Sequence, residues 1–447
     1  DFAGLVLDLL AAAGGAGGGV LADVLLTDAD GEPWPAGGLL LPDAPLAGVL
    51  ASDADLPVVH RSWLASHGAD ALQRLGVRAG FGVRRYPAPP GEATDLPDVD
   101  AWWDEIGAAA AASGHSTQIV ADSESFVAVA DLDLVDDDAW PAALAMLAAD
   151  RDVRDALRPT EFGPSYTAWW LREHALLRGL PPAGWRTAEA TDLVGLYDEV
   201  PVDLPADLAR AIGVLDSLAR AAERPAELLR RWADPARAVP AARVPAITRA
   251  LVAALADHPE LDLPDGVRVL DGTVTDAGAA VVLDEPWLAQ VLDPARLVPG
   301  GADPGAVADV LDLPLASATC GLLAVTGTAD PWPDPVALGT LAPAARCLAG
   351  AGLGALGDRL VTVLPRLAVI AESRDDPDSL PGNGSRSEPG DGQRVAWWVQ
   401  DDRLLLDGSP EGIGRAVAHL AGVWADRHAL VAAARGDRID LAESGLG

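Results

Sequence analysis

Residues 395–423 read VAWWVQDDRLLLDGSPEGIGRAVAHLAGV, and the order of apolar and polar residues in this stretch decides the predicted fold. The apolar run Val395–Val399 is followed by a polar turn, Gln400–Arg403, and then by a second apolar run, Leu404–Leu406. Short apolar runs on either side of a polar turn are typical of two antiparallel strands. The stretch therefore opens with a predicted β-hairpin.

The second half of the stretch is predicted to be a helix. Asp407 and Ser409 follow the apolar run, and serine is among the residues that most favour the N-cap of a helix. Pro410 comes next, and its fixed φ suits a first helical turn, where no N–H is needed. Apolar spacing extends this helix to Val423. We call the whole arrangement a hairpin–helix module.

Two further segments have the same order of elements, although the similarity is too loose for a repeat of fixed period. The first consists of Val24–Thr27, the turn Asp28–Glu32, the triplet Leu39–Leu41, the predicted cap Asp43, Pro45 and a short helix. The second consists of Val267–Leu270, the turn Asp271–Asp276, the triplet Val281–Leu283, the predicted cap Asp284, Pro286 and a helix through Leu292. Each triplet is expected to be the second strand of a hairpin that packs on its helix, because an isolated hairpin is marginal in water.

The remaining sequence is mainly helical, so the predicted fold class is α+β, with several small modules and helical connecting regions. Phe126–Val135 alternates Val and Leu with Ala and Asp, which predicts a strand. Apolar residues at helical spacing predict the following helices: Phe2–Leu10, Arg61–Leu75, Ala139–Ala149, Ser165–Leu177, Leu204–Ala222, Pro225–Trp232 and Val244–Leu255.

Two linkers divide the chain. Tyr86–Pro97 is rich in Pro and Gly, and Glu372–Gln393 has almost nothing to bury, so we expect the second linker to be disordered. The predicted segments are 1–92 (helix, first module and helical segment), 98–195 (mixed α/β), 196–260 (helical), 262–370 (second module and an α/β segment), 371–393 (linker) and 394–447 (C-terminal module).

The composition is that of an acidic, soluble chain. The 447 residues include 67 acidic and 32 basic residues, with a formal net charge of −35 at pH 7. Such a surface repels phosphate backbones and anionic lipids, and the arginines are scattered along the sequence, so neither nucleic acid nor a membrane is expected as a partner. Cys320 and Cys347 are not at metal-ligand spacing and are expected to be buried thiols, which favours a reducing compartment and a cytoplasmic location.

Lysine is absent from the sequence, and its absence excludes several classes of enzyme. A Walker A loop needs a lysine on the phosphates, a protein kinase needs one on a strand, and Schiff-base enzymes need its amine.

Two patterns resemble ligand sites but favour structural roles. Gly352–Gly357 fits G-x-G-x-x-G, yet a predicted helix precedes it and a predicted strand follows, the reverse of a dinucleotide site. Asp131, Asp133 and Asp136–Asp138 suggest a Mg²⁺ or Ca²⁺ site, but the glycine and distal glutamate of a calcium loop are missing. We expect Asp131 and Asp133 on the polar face of a strand, and Asp136–Asp138 at the N-terminus of the helix from Ala139.

No catalytic, cofactor-binding or metal-binding residue is predicted. His115 and Ser116 resemble a nucleophile elbow without its final glycine, so a hydrolytic site is a remote alternative. The histidines form no metal-binding pair at helical spacing; they are His60, His67, His115, His174, His258, His419 and His428.

Tryptophan is abundant, and three adjacent pairs occur: Trp102-Trp103, Trp169-Trp170 and Trp397-Trp398. Adjacent side chains point in different directions on a strand or a helix. One tryptophan of each pair is therefore predicted to pack in a core, and its neighbour is predicted to lie near a surface or a partner interface.

Four strings resemble a known family. They are LADVLLTDADGEPWPAGGLLLPDAPLAGVL (21–50), VADLDLVDDDAW (129–140), SYTAWWL (165–171) and LLLDGSPEGIGRAVAHLAGVWADRH (404–428). They look like the C-terminal half of large actinobacterial proteins that begin with a sacsin-like ATP-binding domain, of the type shared by gyrase, histidine kinases and the ninety-kilodalton heat-shock chaperone. The similarity extends along nearly the whole chain.

The resemblance implies an ATP site outside this sequence. In the family, an E-x-x-x-N helix places Asn on Mg²⁺, and a D-x-G-x-G strand end lies under the adenine. Neither motif occurs here, and Asn383, the one asparagine, falls in the predicted linker. ATP and Mg²⁺ would belong to an upstream domain, and the chain, which opens at Asp1 in a predicted helix without a signal peptide, is expected to be the C-terminal piece of a longer protein.

Three hypotheses about function follow. The first is a non-catalytic C-terminal region of a sacsin-like, chaperone-type ATP-binding protein, which binds protein partners or clients, self-associates, or couples to an upstream ATPase. The second is a free-standing protein-interaction scaffold without an ATPase. The third is a hydrolase centred on His115 and Ser116 or on Asp131–Asp138.

Overall fold

The computed structural model describes residues 2–13, 21–54, 56–91, 94–114, 125–326, 332–371 and 392–437. The predicted α+β class is confirmed, since helices and small sheets alternate along the chain. The chain divides into two compact units, 1–221 and 222–447. The finer division into six segments stays a prediction.

The first unit is built from short helices and two-stranded sheets. Its helices are α1 (Phe2–Ala13), α2 (Arg61–His67), α3 (Ala69–Leu75), α4 (Val99–Ala112), α5 (Trp140–Ala149), α6 (Arg151–Ala156), α7 (Tyr166–His174), α8 (Ala206–Ala211) and α9 (Leu218–Ala222). Its strands are β1 (Leu25–Thr27), β2 (Pro33–Pro35), β3 (Val83–Pro87), β4 (Ser125–Val129), β5 (Trp185–Arg186) and β6 (Asp198–Glu199). The pairs β1–β2 and β3–β4 are antiparallel, and β5–β6 is parallel. Leu7, Leu40, Leu72, Leu144 and Leu171 lie at the centre of its core.

The second unit contains larger sheets. Its helices are α10 (Pro225–Trp232), α11 (Val244–Ala256), α12 (Pro304–Leu311), α13 (Ala316–Thr319), α14 (Ala342–Gly350), α15 (Pro410–Leu420) and α16 (Arg427–Arg435). Its strands are β7 (Gly266–Arg268), β8 (Val274–Asp276), β9 (Val281–Leu283), β10 (Leu297–Pro299), β11 (Leu322–Thr326), β12 (Val336–Ala337), β13 (Leu360–Val363), β14 (Leu367–Ala371), β15 (Gln393–Arg394), β16 (Trp397–Gln400) and β17 (Arg403–Leu406). A four-stranded sheet has the order β12–β13–β17–β16, and a three-stranded sheet has the order β11–β14–β15. Trp397, Leu405, Val417 and Leu430 are buried between the four-stranded sheet and its helices.

One arrangement, which we call the parallel unit, occurs three times. A single turn of 3₁₀ helix leads into a short central strand, a second 3₁₀ turn follows, and two later segments pair with the central strand in parallel. The first copy, 36–78, centres on Leu40 and its bridges to Val58 and Arg78. The second copy, 182–215, centres on β5, which pairs with β6 and with Leu215. The third copy, 277–315, centres on β9, which pairs with β10 and with Leu315.

The helix before the last strand of each parallel unit ends in the same way. Gly76, Gly213 and Asp312 follow α3, α8 and α12, and each has a positive φ, of 123°, 92° and 50° respectively. The next residue in each copy donates a backbone hydrogen bond of 2.9–3.0 Å to the carbonyl five residues earlier. This left-handed helix exit turns the chain back to the central strand.

Two of the three predicted hairpin–helix modules are wrong in their pairing. The hairpins do form, but their second strands are β2, which directly follows the turn Asp28–Glu32, and β8, which occupies the last three residues of the predicted turn Asp271–Asp276. The triplets Leu39–Leu41 and Val281–Leu283 come later and serve as the central segments of parallel units. An apolar run without polar alternation suits a strand that has parallel neighbours and is covered on both faces.

The predicted caps Asp43 and Asp284 are also wrong. Asp43 has a φ of 61° in a turn, and its carboxylate accepts a 3.4 Å hydrogen bond from Arg61. Asp284 accepts a 3.0 Å hydrogen bond from the backbone N–H of Ser317, so it caps α13 instead of the next helix. Pro45 and Pro286 do lie in first turns, but of 3₁₀ helices.

The C-terminal hairpin–helix module is confirmed. Strands β16 and β17 pair in antiparallel register, and the Ser409 side chain accepts a 3.1 Å hydrogen bond from Gly412 at the start of α15, with Pro410 in the first turn. The helix ends at Leu420, three residues earlier than expected, and α15 packs on both strands.

Among the helices, the predicted bounds of α1, α10, α11 and α5 are close to those observed. Arg61–Leu75 is interrupted at Gly68, where φ is 77°, and Leu204–Ala222 is broken after α8 by the helix exit at Gly213. The helix predicted over Ser165–Leu177 is observed as the shorter helix α7, with Ser165 as its N-cap. The predicted strand Phe126–Val135 ends with β4, since a 3₁₀ turn follows.

The predicted linkers do not separate the sheets beside them. The strand before the Pro- and Gly-rich linker, β3, pairs with β4 after it. Most of the second linker, residues 372–391, lies outside the described residues. Its last residue, Gln393, belongs to β15, and β17 pairs in parallel with β13. Residues 394–437 therefore share a sheet with the chain before the linker.

Candidate functional site: an arginine-lined groove

The groove begins with α6, whose sequence RDVRDA makes an amphipathic helix. The carboxylate of Asp150 caps its N-terminus, accepting a 2.8 Å hydrogen bond from the backbone N–H of Asp152. Val153 and Ala156 are buried against the core. Arg151 and Arg154 are therefore directed outward, one helical turn apart.

A second wall comes from α7. The Ser165 side chain caps this helix, and Trp170 and Leu171 fix it in the core. Arg172 is half-buried, and its aliphatic stem lies against Gly213. A Cβ at Gly213 would lie 3.1 Å from Cγ of Arg172, so the glycine of the helix exit also makes room for this arginine.

The third wall is α8, the helix of the second parallel unit. Leu208 and Ala209 are buried, and Asp207 and Arg210 are exposed. Nε of Arg210 donates a 3.2 Å hydrogen bond to Asp216. Although partial burial works against ionisation, hydrogen bonds from Arg210 and Ser217 hold the pKa of Asp216 below its usual range.

These three helices enclose a cavity of about 690 Å³, within the range of ligand-binding clefts. Its charged lining comprises Arg151, Arg154, Arg158, Arg172 and Arg210, with Asp155 and Asp207 as the acidic members. Its apolar floor comprises Leu157, Pro159, Pro164, Ala168, Leu208 and Ala211. We call this site the arginine groove. Acidic residues outnumber basic ones about two to one in the chain, and in the groove that ratio is reversed.

The guanidinium groups are spread along the groove. Arg151 and Arg154 lie on α6, Arg158 lies just beyond its end, and Arg172 and Arg210 come from α7 and α8. Asp155 partly compensates this row, with a 2.9 Å ion pair to Arg158 in which both side chains are largely exposed. Guanidinium groups supplied by three helices suit an anionic chain with several charges better than a single small anion.

The fold itself does not require an arginine at position 210. In the other two parallel units, the residue three positions before the left-handed helix exit is Gln73 or Asp309. All three positions lie on short helices with the same exit. The arginine is thus a property of the second copy, which is the copy that borders the groove.

The ligand-like motifs of the sequence lie elsewhere. Gly352–Gly357 follows α14 and precedes β13, so the predicted order of helix, glycines and strand is confirmed. Asp131 does not lie on a strand: it has a φ of 62° and pairs with the buried Arg78. Asp136 accepts a 2.9 Å hydrogen bond from Asp138 at the start of a 3₁₀ turn before α5, which confirms a capping role.

The predicted alternatives for catalysis are not brought together in the described part of the chain. His115 and Ser116 lie outside the described residues. His419 is packed against the rings of Trp287 and Trp397, and burial lowers its pKa. Within the described ranges, no group of three or more His, Cys, Asp or Glu side chains is placed to hold a metal ion.

The cysteines differ from each other in environment. Cys347 is buried in the core, its thiol donates to the carbonyl of Leu430 at 3.4 Å, and burial raises its pKa to about 11. Cys320 is half-buried, so the expectation of two buried thiols is right for Cys347 alone.

The tryptophan pairs follow the prediction in the first unit. Trp102 and Trp170 are buried, and their neighbours Trp103 and Trp169 are partly exposed. In the second unit both Trp397 and Trp398 are buried and belong to one hydrophobic core, because α15, β11 and the 3₁₀ helix at 286–290 all pack against strand β16.

The sequence contained part of the signal for the groove. Arg151, Arg154 and Arg158 occur at spacings of three and four residues, which places them on one side of a helix. Arg172 and Arg210 come from other elements, and only the fold brings them to the same cavity. The expectation of scattered arginines is therefore corrected by the structure.

No protein-family model, no curated protein and no solved structure matches this chain. Within the described residues, none of the helices has both the length and the apolar character needed to cross a bilayer.

Proposed function

We propose that this chain is a non-catalytic protein-binding region, and that the arginine groove holds an acidic segment of a partner protein. The observation that carries the proposal is the set of five arginines around one cavity in a chain of net charge −35. Guanidinium groups bind carboxylates through two parallel hydrogen bonds and lose less solvation than ammonium groups do. The apolar floor provides contact area for the segment between its carboxylates.

The charge of the rest of the chain supports the same ligand. An acidic partner is repelled by the net negative charge of the chain and attracted at the groove, which orients the encounter. The row of guanidiniums fits an extended peptide, whose alternate side chains lie on one face and about 6.6 Å apart.

The wider proposal is that this binding region belongs to a sacsin-like, chaperone-type ATP-binding protein in the cytoplasm. The four resembling strings support it, and the ATP and Mg²⁺ chemistry would reside in an upstream domain. A free-standing interaction scaffold is the alternative. Reading the coding sequence upstream of Asp1 for E-x-x-x-N and D-x-G-x-G motifs decides between the two.

The groove is tested with a fluorescein-labelled peptide of alternating Glu and Ala, followed by fluorescence polarisation. We expect saturable binding that weakens as salt is added, because the contacts are between exposed charges. The double variant Arg151→Glu/Arg154→Glu should bind at least about tenfold more weakly. Both side chains are exposed. Arg151→Glu places a negative charge in the first turn of α6, where it is favourable, and Arg154→Glu places one in the last turn, where it is unfavourable by a similar small amount, so the fold should be kept.

The matched control is Arg61→Glu/Arg249→Glu, which changes the net charge equally at exposed positions outside the groove. Equal losses of peptide affinity in both double variants, or no binding of the peptide by the wild type, would contradict the proposal.

Calorimetric titration of the protein with Mg·ATP should show no micromolar binding. If it does, and the groove variant abolishes it, the groove is a phosphate site instead.

A further inference from the structure

An aromatic pocket adjoins the arginine groove. It has a volume of about 270 Å³, and its walls include Trp103, Phe126, Phe162 and Tyr166. Trp102, which is largely buried, also lines the pocket, and its ring centroid is 4.9 Å from that of Phe126 and 5.8 Å from that of Tyr166. The pocket is therefore a preformed cleft with largely aromatic sides.

The hydroxyl groups of this pocket already have partners within the protein. The hydroxyl of Tyr166 donates a 2.6 Å hydrogen bond to the carbonyl of Pro97, and burial raises the pKa of Tyr166, so the ring stays neutral. The hydroxyl of Ser125 accepts from Arg85, that of Thr160 donates to Gly163, and that of Ser165 accepts from Ala168. What the pocket offers a guest is mainly apolar and aromatic surface, with the charged residues Asp155, Arg158 and Glu161 also in its lining.

The pocket and the groove meet at two residues, Asp155 and Arg158, which line both cavities. The chain between Arg158 and Ser165 forms the boundary, and Trp102 holds it by donating a 3.1 Å hydrogen bond to the carbonyl of Pro164. Pro164 in turn lines the groove. The two cavities are therefore neighbours that share part of their walls.

We propose that the aromatic pocket is the anchor subsite of the arginine groove: it receives one aromatic side chain of the acidic partner segment. This inference rests on the proposed function. An aromatic side chain combines a large apolar surface with a small loss of conformational freedom, and aromatic side chains dominate buried positions of interfaces. The carboxylates give attraction and direction, and the aromatic anchor fixes which residue of the segment lies where.

The inference is tested with two labelled acidic peptides that differ only in carrying Phe or Ala beside the acidic run. We expect the Phe peptide to bind about tenfold more tightly. Val127→Phe, which fills the pocket from strand β4, should remove this preference and leave binding of the Ala peptide unchanged. Trp103→Ala, which opens the pocket, should also reduce the preference. Circular dichroism and thermal melting check that both variants fold.

A second readout does not depend on affinity. In a peptide with 4-fluorophenylalanine at the anchor position, the ¹⁹F resonance should shift on binding to the wild type and should not show this shift with Val127→Phe. Equal binding of the two peptides, with no ¹⁹F shift, overturns the anchor inference and leaves the arginine groove intact. If neither peptide binds to the wild-type protein, the proposed function itself is overturned.

Discussion

At the scale of single residues, Arg268 stands out because it is an arginine that is almost completely buried. Its side chain is 1% exposed and donates hydrogen bonds of 2.6–3.0 Å to four backbone carbonyls, those of Trp232, Asp234, Arg237 and Gly272. Burial lowers its pKa, yet an arginine remains charged at neutral pH. One side chain thereby attaches the segment after α10 to the hairpin β7–β8.

Replacing this arginine tests its role. Arg268→Met keeps most of the volume but leaves two buried and two partly buried carbonyls without this donor, so we expect a loss of about 3 kcal/mol in the free energy of unfolding. Urea titration followed by tryptophan fluorescence measures it. Arg249→Met, at an exposed position of α11, is the control and should change stability by no more than about 0.5 kcal/mol. Similar stabilities for the two variants would show that water replaces the lost donors.

At the scale of secondary-structure elements, α15 and α16 cross at a glycine. A Cβ on Gly414 would lie 2.5 Å from the Cα and 2.6 Å from the backbone nitrogen of Val431. A contact between backbones cannot be relieved by a rotamer change, so the two helices would have to move apart.

Gly414→Ala should therefore lower the free energy of unfolding by about 2 kcal/mol or more, despite the better helix propensity of alanine. The control is Gly107→Ala in α4, where a Cβ meets no atom within 4 Å. That substitution should stabilise the protein by up to about 1 kcal/mol. Thermal unfolding compares the two. If both changes are stabilising, the crossing of α15 and α16 is looser than described.

Element type was more predictable from the sequence than pairing was. Helices such as α10 and α11 follow from local periodicity, and the hairpin β16–β17 follows from one turn. The triplet around Leu40 pairs with Val58 and Arg78, and no local pattern identifies such partners. The nearby turn Asp28–Glu32 predicts antiparallel pairing for the triplet Leu39–Leu41, but in the structure this turn joins β1 to β2.

The arginine groove was likewise predictable from the sequence only in part. The spacing of Arg151, Arg154 and Arg158 is visible in the sequence, so one wall of the groove was predictable. The opposite walls depend on where α7 and α8 are packed, which is decided by buried residues such as Leu171 and Leu208. The combination of arginines with a neighbouring aromatic pocket is a tertiary property.

At the scale of the whole molecule, the second unit holds together across the segment 372–391. Strand β17 pairs in parallel with β13, and α14 packs against both α15 and α16. The part of the chain after this segment therefore shares its core with the part before it.

Cutting the chain in this segment tests that connection. With a specific protease site placed within 372–391, the two fragments should stay together in size-exclusion chromatography and separate only in denaturant. Leu405→Asp, which introduces a charge into the buried strand β17, should release the shorter fragment from the cut protein. Spontaneous separation of the wild-type fragments would mean that 394–437 is an independent module after all.

The strand pairings also have a consequence for synthesis on the ribosome. Thr326 pairs with Leu367, Val361 with Leu404, and Leu40 with Arg78, so partners follow one another after only about forty residues. Each such pairing can close soon after its last strand has left the exit tunnel, without waiting for distant sequence. A nascent chain built in this order exposes few unpaired strand edges at any moment, which limits aggregation during translation.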